Sequence, residues 1–155
     1  MNALKFGICM AGFFMIQLLI AGCSQEPVEV HYGSDECAHC KMMITDPQFA
    51  AQMVTEKGKA YTFDAIECLA VYHREHQQEF SGARLWVNDY SHPGNWLNAR
   101  QAQYVQSEVI NSPMGASLLA LPDEATAKEH IAKKPGQLLQ WQAVSQVKMH
   151  NGMQH

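Results

Sequence analysis

The sequence predicts an α+β fold made of two small ββαβ units packed together, with an N-terminal tether and a C-terminal tail. Three observations carry this. Short apolar stretches alternate with polar turns in both halves. Each half holds one helix-period segment behind a good start signal. The order strand, strand, helix, strand recurs with little identity between the copies, so the repeat is one of elements only.

In the first unit, "AQMVTE" and "AYTF" are strand-like, and Lys57-Gly58 supplies the turn between them. Asp64 is placed to cap a helix, with Glu67 at capping-box spacing. In "AIECLAVYHREHQQEF", Leu69, Tyr72 and His76, with Ile66 and His73, form one side. Glu67, Arg74, Glu75 and Gln78 form the other, polar side. "ARLWVNDY" follows as a strand. In the second unit, "NARQAQYVQSE" and "SLLAL" read as strands. Pro122-Asp123-Glu124 opens the helix "EATAKEHIAKK", and "QLLQWQAV" reads as a final strand. The expected divisions are 1–22 signal, 23–33 attachment residue and tether, 34–92 first unit, 93–146 second unit and 147–155 tail.

The N-terminus indicates the compartment. Lys5 precedes an apolar run that ends in Ile20-Ala21-Gly22-Cys23. A charged start, a hydrophobic stretch and small residues at a cut site make a secretory signal. A Cys directly after Ala-Gly resembles the bacterial lipobox, which implies cleavage before Cys23 and acylation of that residue, palmitate included. Ser24 rather than Asp at the next position points to the outer membrane in preference to the inner. Residues 24–33, "SQEPVEVHYG", are polar with a proline and read as a flexible tether. The chain carries a net charge of −4 and no cluster of Lys and Arg, which argues against a nucleic-acid partner.

Of five cysteines, Cys9 leaves with the signal and Cys23 takes lipid, leaving Cys37, Cys40 and Cys68. An odd number forms no closed disulfide framework. "CAHCKMMI" contains a Cys-x-x-Cys pair followed at once by methionines. A haem tether needs His directly after the second Cys, where Lys41 stands. A thioredoxin-like pair opens a helix behind a strand, whereas this pair precedes the first clear strand. A structural zinc site would need Cys68 with His73 or His76 to complete four ligands. Cu(I) suits the residues better, because it is soft and selects thiolate and thioether. Cys37, Cys40 and Met42 are candidate ligands on one loop, with Met43 directed toward the core. Met114, in the turn "NSPMGAS", is read as a loop residue and a second thioether candidate. The tail "MHNGMQH" offers Met149, His150, Met153 and His155, a composition that binds metal weakly.

Together these segments resemble the NosL lipoproteins that accompany bacterial nitrous oxide reductase. "DECAHCKMMITDP" is similar to their Cys-x-x-Cys-x-Met signature, and "YTFDAIECL", "LWVNDY", "WLNARQAQYV", "SPMGASLLAL" and the tail follow in the family's order. The resemblance implies a fold similar to the organomercurial lyase. It also implies a copper chaperone, not an enzyme, that binds Cu(I) at Cys37, Cys40, Met42 and Met114. Delivery through a membrane ABC-type complex for assembly of the nitrous oxide reductase copper centres is implied with it. Two departures stand out. Lys41 replaces a frequent Gly, and Asn88 replaces a His of some members; if that His is a ligand, this chain uses another, such as His92 or a tail histidine, or binds copper differently. The alternatives from other classes are a thiol-disulfide oxidoreductase or mercurial-lyase-like enzyme using Cys37 and Cys40, and a structural zinc protein.

Overall fold

A computed structural model describes residues 24–147. The expected signal segment, Cys23 and the tail positions Met149, His150, Met153 and His155 lie outside the described residues.

The elements follow the order β1 (Ala51–Val54), β2 (Ala60–Phe63), α1 (Ile66–Glu75), β3 (Arg84–Asn88) and β4 (Trp96–Asn98). They continue with β5 (Gln103–Gln106), β6 (Leu118–Leu121), α2 (Glu124–Lys133), β7 (Gln137–Leu139) and α3 (Trp141–Val144). Two antiparallel sheets result, one ordered β2-β1-β3-β4 and the other β6-β5-β7. The chain is α+β, as the sequence predicts, with a ββαβ order in each half. Trp96–Asn98, which falls after residue 92, pairs with β3 and extends the first sheet.

Period-two alternation assigns the faces of the first sheet. Met53, Leu85, Phe63 and Val87 turn inward and are fully or almost fully buried. Helix α1 packs on β1 and β2 and also reaches β6. One apolar cluster joins these residues to Tyr104, Leu118 and Ala120 of the second sheet. The alternate residues Val105, Leu119 and Leu121 face a second cluster with Ala127 of α2 and Phe49. The second sheet therefore lies between the main core and α2, which is why all four residues of β6 are buried.

Several expectations are corrected. Helix α1 is capped by Ala65 in extended backbone, without a side-chain cap; Asp64 turns inward and is 2% exposed. Glu67, assigned to the polar side, is fully buried. The Asp123 side chain does cap α2, accepting from the Thr126 amide at 2.8 Å. The final strand stops at Leu139, and Trp141–Val144 form a short helix that buries Trp141 and Val144.

The segment read as a flexible tether is docked. Its polar residues serve as a strap across the outer face of the first sheet. There the buried Gln52 side chain accepts from the Val28 amide at 2.9 Å and donates to the Val28 carbonyl at 2.7 Å. An amide side chain thus supplies the donor and acceptor that a neighbouring strand would supply. Trp86 Nε1 donates to the Gln25 carbonyl at 2.9 Å, and Gln25 Nε2 donates to the carbonyls of Gly82 and Val54. Gln52→Ala leaves Val28 unpartnered against the sheet. Denaturant unfolding should register a loss of about 1–3 kcal/mol. Hydrogen exchange should find the Val28 amide deprotected while the β5–β6 amides keep their protection.

Candidate metal centre

The thiol loop is closed by its own backbone. The Cys37 amide donates to the Met42 carbonyl at 2.8 Å, and the Lys41 amide donates to the Cys37 carbonyl at 3.1 Å. The Ala38 amide donates to the Thr62 carbonyl of β2, which seats the loop on the sheet. Closing so tight a turn puts Lys41 at φ +64°, in the left-handed region. Glycine adopts that conformation without penalty, and a side chain adopts it at a cost. Lys41 Nζ donates to the Ala38 carbonyl at 2.9 Å across the loop.

Against this loop stands the first turn of α1. Cys68 is fully buried there, and its Sγ closes with those of Cys37 and Cys40, all three within 4.8 Å of one another. Among the described residues, no histidine nitrogen or carboxylate joins this group. Cys37 is fully buried, Cys68 likewise, and Cys40 is half-buried, so the group opens to solvent on the Cys40 side.

The three thiols are not equivalent. The Cys68 thiol donates to Cys37, and the amides of Asp64, Cys40 and His39 converge on the same sulfur, lowering its pKa to about 5 against the cost of burial. Hydrogen bonds to this sulfur favour its thiolate form. Cys68 is pushed far up because its proton is held by Cys37, with burial next. Cys40 is raised by burial first. Asp64 is pushed up to about 6 by burial, against a hydrogen bond from the Thr45 amide, with the Cys37 charge adding to the rise.

A second feature ties the two units together beside the thiols. Glu67 Oε1 accepts from Ser112 Oγ at 2.7 Å and from the Ala116 amide at 3.2 Å. Ser112 Oγ in turn accepts from the Ser117 amide at 2.9 Å. The 112–117 loop, with Gly115 at φ +76° and Ser117 at φ +59°, is thereby buckled to α1 one residue before Cys68. Burial holds the Glu67 carboxyl above its usual range. Met114, carried by this loop, is 6% exposed and belongs to the apolar cluster that contains Cys37 and Cys68.

The family model described as NosL matches residues 27–149. The chain belongs to the NosL family. The "Copper-binding lipoprotein NosL" of Stutzerimonas stutzeri is 30% identical to it over 142 residues, covering 85% of this chain and 74% of that protein. The crystal structure of the copper chaperone NosL from Shewanella denitrificans superposes with a TM-score of 0.64 at 19% identity, over 81% of this chain and 99% of that one, a likeness of fold.

The sequence candidates are placed unevenly in this NosL fold. Cys37 and Cys40 are brought together, and Cys68, weighed in the sequence as part of a zinc site with His73 or His76, joins them. Its visible signals were that it is one of the three thiols left after the signal and the lipid position, and that it stands near the start of a helix. Met42 sits at the rim, 43% exposed. Met43, expected to point into the core, is 52% exposed. Met114 is on a loop as expected, but its side chain is buried in the core cluster. His92 stands apart from the thiol group, 81% exposed at its side chain, with Nδ1 at 3.3 Å from Asp89 Oδ2. Asn88 has structural partners: its amide donates to Tyr32 Oη at 3.2 Å and accepts from the Gly94 amide at 2.7 Å, shaping the β3–β4 turn. His73 is buried on α1, and His76 stacks on Tyr72 and pairs with the Tyr72 carbonyl. Neither completes a four-ligand site with the cysteines.

In the reduced protein without metal, one thiol should titrate near pH 5 and the other two above the ordinary thiol range. The lowered Cys37 pKa contributes stability that is complete above the unfolded thiol value of about 8.5 and is lost as pH falls toward 5. The raised Cys40 and Cys68 values withdraw stability above about 8.5, so this centre contributes most near that pH. Thiolate ultraviolet absorbance against pH measures the steps. Cys68→Ala, which removes the donating thiol, should move the first midpoint upward. Three thiols titrating together in the ordinary range would contradict the assignment.

Proposed function

We propose that this chain is a lipid-anchored envelope carrier of Cu(I), with the Cys37, Cys40 and Cys68 thiols as its binding centre. The observation that carries the reading is the closure of three sulfurs within 4.8 Å. A trigonal metal with metal–sulfur bonds of about 2.3 Å requires sulfurs about 4 Å apart, which such a group meets with little movement. Three soft ligands without a fourth nitrogen or oxygen suit Cu(I) better than zinc. With the Cys37 pKa lowered, metal entry has to displace the protons of Cys40 and Cys68 alone. The relatives, a copper-binding lipoprotein and a copper chaperone, point the same way and to a carrier in place of an enzyme.

Cargo must also leave. Cys40 and Met42 stand at the solvent side of the centre, and Met114 lies in the apolar cluster with Cys37 and Cys68. We assign Met42 as the rim ligand that passes copper to a partner, and Met114 as a thioether that stabilises the loaded centre from within. The recipient in this reading is a membrane ABC-type maturation complex, serving the copper centres of nitrous oxide reductase. The chain is held by acylated Cys23, at the outer membrane in preference to the inner. The oxidoreductase alternative uses Cys37 and Cys40 and has no need of the methionines.

Anaerobic competition with a chromogenic Cu(I) chelator tests this. The chain should bind one Cu(I). Cys37→Ser, Cys40→Ser and Cys68→Ser should each weaken binding on the order of 100-fold, and Met114→Leu or Met42→Leu about tenfold, each tenfold being about 1.4 kcal/mol. Unchanged affinity in both methionine variants removes the thioether assignment and leaves copper on the three thiols alone. Stoichiometric zinc without copper, in protein purified anaerobically, removes the carrier.

A further inference from the structure

We propose that the docked strap sets the orientation of the domain on the bilayer, with the β1–β2 hairpin end against lipid and the thiol centre facing away from it. The inference rests on acylation at Cys23 and adds a direction to it. Gln25 is two residues from that position, so its attachment point lies within about 7 Å of the lipidated residue at about 3.6 Å per residue. Gln25 is held at one end of the first sheet, by the carbonyl of Val54, where β1 leaves for the hairpin turn, and that of Gly82, just before β3. From there the strap runs alongside β3. Glu26 meets Arg84 at 3.2 Å, Val28 meets Gln52, and Tyr32 Oη meets Asn88 at the opposite end.

Arg84 to Asn88 spans about 13 Å at about 3.3 Å per residue. The chain then passes through the turn at 31–35, anchored by the Gly33 amide on the Ile44 carbonyl, into the thiol loop. The lipid and the metal centre are thus attached at opposite ends of one rigid sheet. Charge does not dictate this pose. Lys57 and Lys59 at the hairpin end are balanced by Glu56 and Glu79, and Lys59 Nζ rests 4.6 Å from the Tyr61 ring centroid. The strap alone supplies the direction. A partner that takes metal from this chain therefore docks from the aqueous side, onto the exposed Met42 and Met43, at a face held above the headgroups.

Photo-crosslinking of the mature lipoprotein in phospholipid vesicles tests the proposal. A benzophenone amino acid replaces Lys57 in one preparation and Met43 in another, which leaves every cysteine in place. The residue-57 probe should crosslink to phospholipid several-fold more than the residue-43 probe. In a Gln25→Ala/Gln52→Ala background, which frees the strap, that ratio should fall toward one. Equal crosslinking with the strap intact, or a stronger signal at residue 43, overturns the orientation while leaving the carrier reading in place. Mass spectrometry of the N-terminal peptide separates the two: an absence of acyl groups defeats the lipid reading itself, and the orientation with it.

Discussion

The candidate metal centre depends on one juxtaposition, the closure of the Cys37, Cys40 and Cys68 sulfurs where the first turn of α1 meets a loop tied to β2. That closure requires a helix start and a preceding loop to be fixed relative to each other. The Thr62 carbonyl fixes the loop on the sheet, and the extended backbone at Ala65 fixes where the helix begins. The Cys68 thiol and nearby amides then lower the pKa of the Cys37 sulfur, against the burial that raises it.

The second unit completes the enclosure. Its sheet closes the core over α1, and Glu67 latches the 112–117 loop to the helix beside Cys68. A buried carboxyl with two donors and one oxygen, Oε2, without a hydrogen-bond partner is a costly way to join two elements. Here it brings the Met114 loop against the thiol-bearing helix. A shared apolar cluster and a shared polar latch make the two ββαβ halves one structure, although each half has its own sheet.

Local patterns were legible in the sequence. The hairpin turn at Lys57-Gly58, the strand in "ARLWVNDY" and the helix opened by Pro122-Asp123-Glu124 all depend on neighbours in the chain, and they form as read. The thiol loop was legible through Cys37 and Cys40 for the same reason. Long-range pairings were not. Cys68 and Glu67 lie one residue apart in a helix whose periodicity separates apolar from polar. That rule assigned Glu67 to the polar side and gave no reason to join Cys68 to the loop thiols, because the partners that decide both belong to other segments. The strap misled in the opposite way. Polar composition signals a linker when side chains meet water, but Gln52 and Gln25 spend their amides on backbone groups. Trp141 ended the last strand early because an amphipathic turn there buries the indole against Tyr104.

The central claim is that sulfur, with Cys68 included, makes the metal environment. Copper X-ray absorption on the protein loaded anaerobically with one Cu(I) tests it most directly, comparing the natural chain with Cys68→Ser. The account predicts sulfur neighbours in the natural chain and the loss of one on substitution at Cys68. A first shell of nitrogen and oxygen alone, or a spectrum indifferent to Cys68, would contradict it.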